Sequence, residues 1–348
     1  MGGSELFALI KVMQTTLEKS VLATLVYYDI LDFPLTAGEV FKFLINPERF
    51  GKDQGSTFYL ESYPHARLSL AEVLNYLGIL VEKGKLEELN GFYFLSGREN
   101  LYQERIEKNK MAEEKWKRTR RYLFLAQAIP YIEAVFASGS LSLGHTGEES
   151  DLDVLVVVKA GRIWLARVLL SLAMSILGVR RKKKERTAPN KICLNHYIAT
   201  DSLRIPFESL YTAQSYAHLV PLYWKNKTVV ENFWKANRSW VEKFLCRWDG
   251  AYAYQRRAIR SSRLLEGVKL ILEKTLNRLG LADWLEKVSR KIQLQRINLN
   301  LPGRITANDR QLEFHPYSIE KDIIKKYNLA IFKLGIFGNY QELDSGLR

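Results

Sequence analysis

The chain has 348 residues, of which 47% are hydrophobic and 12% aromatic, so it is a folded protein and not a disordered one. Its length predicts two or three domains. Cys193 and Cys246 are its only cysteines, which excludes a disulfide framework and a cysteine-based zinc site.

The formal net charge of +14 is distributed unevenly along the chain. Residues 1–100 hold 9 Lys and Arg against 13 Asp and Glu, so the positive excess belongs to the remainder. Such a field suits a polyanionic partner, for example a nucleic acid, a nucleotide or an acidic membrane.

The N-terminal sequence lacks a basic start followed by a long apolar run, so we expect no signal peptide and a cytoplasmic protein. The longest apolar stretch, residues 165–179, is shorter than the roughly 20 residues that a transmembrane helix needs, and Arg167 interrupts it. We therefore predict a buried helix and no transmembrane segment. The basic run that follows, residues 180–186, leaves contact with a membrane surface as the alternative.

Residues 1–100 are predicted to form a winged helix-turn-helix-like module. A helical pattern over 17–31 precedes two capping boxes, Thr36 with Glu39 and Ser69 with Glu72, and each box predicts a further helix. Two short strand-like runs around Asn90-Gly91 then predict a hairpin. The segment 46–68 is expected to be an irregular insertion. DNA binding by this module is disfavoured by its net negative charge, because phosphate contacts require Lys and Arg.

Three further parts follow the first module. Residues 101–128 predict a charged helix that links it to a core over residues 129–205. Residues 206–348 are predicted to be a helical C-terminal region, with helices over 208–224, 228–248, 251–280 and 282–297. A helical tail of this kind would close over a site or bind an acceptor.

The chemistry is concentrated in "YIEAVFASGS" and "DLDVLVVV". The first is a predicted strand that ends in Gly139-Ser140, and the second opens with Asp151 and Asp153. Because side chains alternate along a strand, the two carboxylates lie on one face about 6.5–7 Å apart along it. Carboxylate oxygens suit Mg²⁺, which also accepts oxygens from substrate phosphates. Gly139 would let a phosphate approach the backbone, and Ser140 could donate through its hydroxyl and amide groups.

This order of Gly-Ser, a spacer of about ten residues and Asp-x-Asp resembles the signature of the DNA polymerase β-like nucleotidyltransferase superfamily. The resemblance covers roughly residues 130–200. It implies an α+β fold in which a mixed β-sheet is flanked by helices. It also implies that Asp151 and Asp153 bind Mg²⁺, or Mn²⁺, and that Gly139 and Ser140 bind the triphosphate of an incoming NTP.

The superfamily commonly carries a third carboxylate on a later strand, but the matching strand here, residues 191–201, has Asn195 and His196 at its centre. Asn195 and His196, together with Lys191, are the accessory candidates. His196 could accept a proton, although a lone histidine in a strand is more often structural. Asp201 lies at the strand end, and we expect it to be too far away.

Other residues near the motif leave alternatives open. Glu148 or Glu149, in the preceding loop, could replace the missing acid. His145 could meet a phosphate or lie in a solvated loop, whereas His218 is predicted to be in the core and His315 in a turn. The loop 180–191 could lie near the aspartates and guide a nucleotide or nucleic acid.

The sequence therefore favours an Mg²⁺-dependent nucleotidyltransferase that moves a nucleoside monophosphate from an NTP, such as ATP, to a hydroxyl. The acceptor is a small molecule, a protein or an RNA end. The alternative is a catalytically weak nucleotide-binding regulator whose winged helix contacts a protein partner or DNA. A polymerase-like or RNA-tailing enzyme is favoured only by the positive charge.

Overall fold

The computed structural model describes residues 3–50, 68–182, 185, 187–248, 256–297, 303–316, 318–336 and 342–343, with the side chains of the first helix described from residue 16 onward. Most of the predicted insertion at 46–68 therefore lies outside the described residues. Within these ranges, no helix is both long and apolar enough to cross a membrane.

The first hundred residues fold as three helices and a small antiparallel sheet. In chain order the elements are α1 (Gly3–Asp29), β1 (Leu35–Thr36), α2 (Ala37–Lys42), α3 (Leu70–Glu82), β2 (Leu86–Leu89) and β3 (Phe92–Leu95). Both predicted capping boxes form, because the Thr36 and Ser69 hydroxyls accept from the backbone of Glu39 and Glu72. The hairpin turns at Asn90 and Gly91, which both have positive φ, and the sheet order is β1-β3-β2.

A six-stranded mixed sheet forms the centre of the described protein, in the order β7-β4-β5-β6-β9-β8. Its strands are β4 (Ile132–Ala137), β5 (Leu152–Val158), β6 (Ile192–Ala199), β7 (Val220–Trp224), β8 (Arg304–Ala307) and β9 (Gln311–His315). β5 and β6 are parallel, and the remaining neighbours are antiparallel. The protein is thus α+β with a mixed sheet, as the sequence predicted at this level.

Helices cover both faces of this sheet. They are α4 (Asn100–Leu123), α5 (Gly139–Leu143), α6 (Ile163–Ile176), α7 (Leu210–Ala217), α8 (Lys227–Val241), α9 (Arg263–Arg278), α10 (Leu281–Arg296) and α11 (Glu320–Lys333). Leu155 and Val157 of β5 belong to one buried cluster with residues of α1, α7, α8 and α11, and Val154, Val156 and Val158 belong to a second cluster with residues of α4, α6, α9 and α10. Because both faces of β5 are covered, its sequence is a continuous apolar run and does not alternate between apolar and polar residues. The apolar stretch predicted as a buried helix is α6, although Leu172 and Ile176 are exposed.

The predicted helical character of 206–348 is wrong in three places. Residues 220–224 form β7 and not the end of a helix, and β8 and β9 add two strands at the opposite edge of the sheet. Pro221 breaks the helical pattern, because proline lacks the backbone N–H that a helix requires. Helix α9 begins at Arg263, later than predicted, and part of the span before it is outside the described residues. The linking helix α4 ends at Leu123 and continues as a 3-10 turn to Ala128.

Candidate functional site

The Gly-Ser turn and the Asp pair meet where β4 ends and β5 begins. The backbone N–H of Ser138 donates to the carbonyl oxygen of Asp153 at 3.0 Å. Gly139 follows with a φ of +63°, and a Cβ built there would lie 2.6 Å from Oδ2 of Asp153. Glycine is therefore required at this position on two grounds, backbone conformation and space. Ser140 is partly exposed beside it, in the first turn of α5.

Asp151 immediately precedes β5, and Asp153 lies in β5 opposite Cys193 of β6. An oxygen of each carboxylate and the Sγ of Cys193 all lie within 4.8 Å of one another. Burial and the neighbouring Asp151 raise the pKa of Asp153 to about 6. Burial and the two aspartates also raise the pKa of the Cys193 thiol far above its ordinary value, so the sulfur stays protonated. The donor set is thus two hard oxygens beside a neutral thiol, which fits Mg²⁺ or Mn²⁺ better than a thiophilic metal.

Two side chains position the aspartates. The Asn195 amide donates to Oδ1 of Asp153 at 3.0 Å. Asn195, which stands where we expected a third acid, thus orients Asp153. The Arg181 guanidinium pairs with Oδ2 of Asp151 at 2.5 Å. Arg181 belongs to the basic loop, so at least this cation reaches the aspartates, as the sequence allowed.

The loop before Asp151 is held by α4. The Lys115 ammonium is buried and donates to the carbonyl oxygens of Glu148 at 3.1 Å and Ser150 at 2.6 Å. These bonds fix the loop through its backbone, while the side chains of Glu148 and Glu149 are exposed. His145 lies against α4 and is not in a solvated loop: its Nε2 is 2.9 Å from Nζ of Lys108. Burial and Lys108 lower the pKa of His145 to about 4.

Of the remaining candidates from the sequence, Lys191 lies beside the aspartates through its backbone, because its carbonyl oxygen accepts from the N–H of Leu152 at 2.9 Å, whereas Asp201 and His218 lie elsewhere. The Lys191 ammonium pairs with Glu185 at 2.6 Å. Asp201 follows the far end of β6, where Arg310 approaches it at 3.8 Å. His218 packs on the Phe43 ring, with its Nε2 2.7 Å from the Tyr28 hydroxyl.

An ionisable cluster that the sequence did not predict lies beside Asn195. Strand β9 pairs with β6 so that Glu313 is opposite His196, and His315 ends the strand. One donor atom from each of His196, Glu313 and His315 lies within 4.8 Å of the others. The Nδ1 of His315 is 3.4 Å from the Asn195 amide nitrogen. The cluster thus continues the line of side chains that starts at Asp153.

Burial sets the protonation of this cluster. It raises the pKa of Glu313 to about 7, although Arg304 opposes the shift. Burial, with Arg304, lowers the pKa of His315 to about 4, and it also lowers the pKa of His196, so both imidazoles are neutral near pH 7.

The predicted turn at His315 is wrong, because the residue completes β9. The sequence does carry a signal for strand β9, the alternation of polar Gln311, Glu313 and His315 with apolar Leu312 and Phe314. That alternation predicts a strand with one polar face.

No family model, curated protein or solved structure matches the chain.

Proposed function

We propose that the protein is an Mg²⁺-dependent nucleotidyltransferase that moves a nucleoside monophosphate from an NTP to a hydroxyl acceptor. The observation that carries this proposal is the juxtaposition of Gly139 with Asp153. A glycine turn with positive φ is packed directly against a pair of carboxylates, an arrangement that suits a metal-bound triphosphate. The mixed sheet is compatible with a nucleotidyltransferase core, and the first module has the element order of a winged helix.

Asp151 and Asp153 would hold the ion, and the Gly139-Ser140 turn would bind the phosphates. The ion would neutralise charge on the triphosphate and on the departing pyrophosphate. Asn195 keeps Oδ1 of Asp153 in place through its amide, so the ligand does not need to reorganise. Arg181, already beside Asp151, offers a second positive group near the phosphates.

Transfer would form a bond between the acceptor oxygen and the α-phosphorus and break the bond to the β-phosphate oxygen. The acceptor's proton needs a base, which Asn195 cannot be. We assign this role to His315, because its side chain is 38% exposed whereas that of Glu313 is 1% exposed. In its ionised form the Glu313 carboxylate, with its Oε1 3.8 Å from Nε2 of His315, would stabilise the imidazolium that forms.

Nucleotide binding tests the site without requiring turnover. Titration calorimetry with a non-hydrolysable ATP or GTP analogue should show Mg²⁺-dependent binding. Asp151→Asn/Asp153→Asn should abolish it, because both oxygen ligands lose their charge. Asp201→Asn is the matched control, since this carboxylate lies beyond the other end of β6, and it should bind like the wild type. Equal binding by all three proteins would exclude the site.

The second candidate is a nucleotide-binding regulator, and the amide at Asn195 in place of an acid favours it. In the first module, α3 presents exposed Leu70 and Leu74 and carries no Lys or Arg, which suits a protein contact better than DNA. A regulator would bind the nucleotide in the calorimetry experiment and transfer nothing.

A further inference from the structure

Helix α9 buries two charged side chains and exposes several apolar ones. Lys269 and Glu273 are buried. The Lys269 ammonium donates to the carbonyl oxygen of Ile132, and Oε1 of Glu273 accepts from the backbone N–H of Tyr131 at 2.7 Å. These bonds serve backbone groups at the start of β4, so they fix which face of the helix meets the sheet.

The outward face of α9 carries an apolar row at helical spacing. Leu264, Val268, Ile271 and Leu279 recur at i, i+4, i+7 and i+15 and are all exposed, Leu264 by 73% and Ile271 by 65%. A row of this kind normally faces a core, but the buried polar contacts of α9 leave it outside.

Helix α10 repeats the pattern. It buries Ser289 and Gln293, and the Gln293 amide donates to the carbonyl oxygen of Trp164 at 2.9 Å. Its exposed apolar row is Leu281, Trp284 and Ile292, with Trp284 59% exposed. The two helices follow each other directly and contact each other, and we call their exposed rows together the α9–α10 surface.

A basic row runs beside each apolar row. Arg263 and Arg278 stand one position before Leu264 and Leu279 on α9, Lys274 lies three positions after Ile271, and Lys287 and Lys291 lie beside Trp284 and Ile292 on α10. In the part of the chain that the structure describes, none of these five cations forms a salt bridge.

We propose that the α9–α10 surface binds an anionic lipid bilayer, lying in the headgroup region without crossing it. Apolar rows that include a tryptophan, flanked by Lys and Arg, are what an interfacial helix presents to such a membrane. A nucleic acid would account for the cations but not for the apolar rows. A second copy of the chain would bring like-charged basic rows together across a symmetric interface. The combination of both features therefore favours anionic lipid.

Vesicle co-sedimentation of the full chain tests the proposal. The protein should pellet with vesicles of phosphatidylcholine and phosphatidylglycerol, and should stay in the supernatant with phosphatidylcholine alone. Ile271→Glu should weaken the partition into anionic vesicles by about tenfold or more, because it places a charge in the apolar row that would enter the bilayer. Lys274→Glu/Arg278→Glu should weaken it comparably and reduce its dependence on salt.

Phe332→Glu on α11 is the matched control, because Phe332 is an exposed apolar residue (68%) outside the α9–α10 surface, and it should pellet like the wild type. Circular dichroism should show that all variants fold, since every altered side chain is exposed. Failure of the wild type to pellet with anionic vesicles, or equal pelleting by Ile271→Glu, would overturn the proposal. A dimer that Ile271→Glu dissociates, without vesicle binding by the wild type, would assign the surface to a second copy.

Discussion

At the scale of single residues, Gly139 links the turn to the Asp pair. Gly139→Ala should destabilise the fold, because the left-handed conformation costs alanine about 1–2 kcal/mol and the new Cβ would lie 2.6 Å from Oδ2 of Asp153. Gly161→Ala is the matched control: its φ is +72°, but nothing lies within 4 Å of its added Cβ. Urea unfolding should show a loss for Gly139→Ala that exceeds the control by about 1 kcal/mol or more. Equal losses would mean that Asp153 is not packed on the turn.

Glu313 gives the protein a pH dependence of known sign. Its pKa is about 7 in the folded protein, above the ordinary value of 4.5. Between these values the folded state keeps a proton that the unfolded state releases, so the contribution of Glu313 to stability falls as the pH rises from about 4.5 to 7. The charged or titratable groups that act on the cluster are Arg304 from β8, His196 from β6, His315 from β9, Tyr216 from α7 and Glu320 from α11.

Glu313→Gln isolates this contribution, because the neighbouring groups are present in both proteins. The stability of the variant relative to the wild type should increase by up to about 3 kcal/mol from pH 4.5 to above pH 7, at 1.36 kcal/mol for each pKa unit. Chemical unfolding at a series of pH values measures the difference. Two parallel pH profiles would show that the carboxyl titrates normally.

At the scale of elements, α4 supports the loop that leads into β5. Lys115→Met would leave the carbonyl oxygens of Glu148 and Ser150 without this donor and should cost about 2 kcal/mol. It should also weaken Mg²⁺-dependent nucleotide binding, because Asp151 follows the loop directly. Lys117→Met on the same helix removes only an exposed pair with Glu114 and should change stability by less than about 0.5 kcal/mol. A similarly small effect of Lys115→Met would show that α4 does not position this loop.

Local signals predicted many elements well and failed where pairing is long-range. Thr36, Ser69 and Asn90-Gly91 act on their own neighbours, so capping boxes and a hairpin could be identified from the sequence. The strand β7 could not be identified in this way, because its five residues form a strand only by pairing with β4, some 85 residues earlier. The same holds for Glu313, whose place opposite His196 depends on the pairing of β9 with β6. The Asp pair was predictable, whereas the cluster beside it was not.

At the scale of the whole molecule, the first module and the sheet share one hydrophobic core. Val26 of α1, Leu77 of α3, Phe136 of β4 and Tyr327 of α11 belong to the same buried cluster. The rings of Tyr27 and Tyr327 pack at 5.9 Å, and the Asn46 amide donates to the carbonyl oxygen of Glu242. Residues from the two ends of the chain thus stabilise each other.

This shared core predicts a single unfolding transition. Denaturation followed by tryptophan fluorescence should coincide with denaturation followed by far-UV circular dichroism, because tryptophans such as Trp240 lie in the same cluster as the helices of the first module. Two separated transitions would indicate that residues 1–100 fold independently of the sheet.

Transfer of label from an NTP tests the central claim most directly. The protein is incubated with Mg²⁺ and each NTP labelled at the α-phosphate, alone and with cell extract, and the label on macromolecules and small molecules is measured together with released pyrophosphate. We predict transfer and pyrophosphate release by the wild type and by Asp201→Asn, and neither by Asp151→Asn/Asp153→Asn. Transfer that persists unchanged in the double variant would contradict the site, and nucleotide binding with no transfer under any condition would contradict the enzyme.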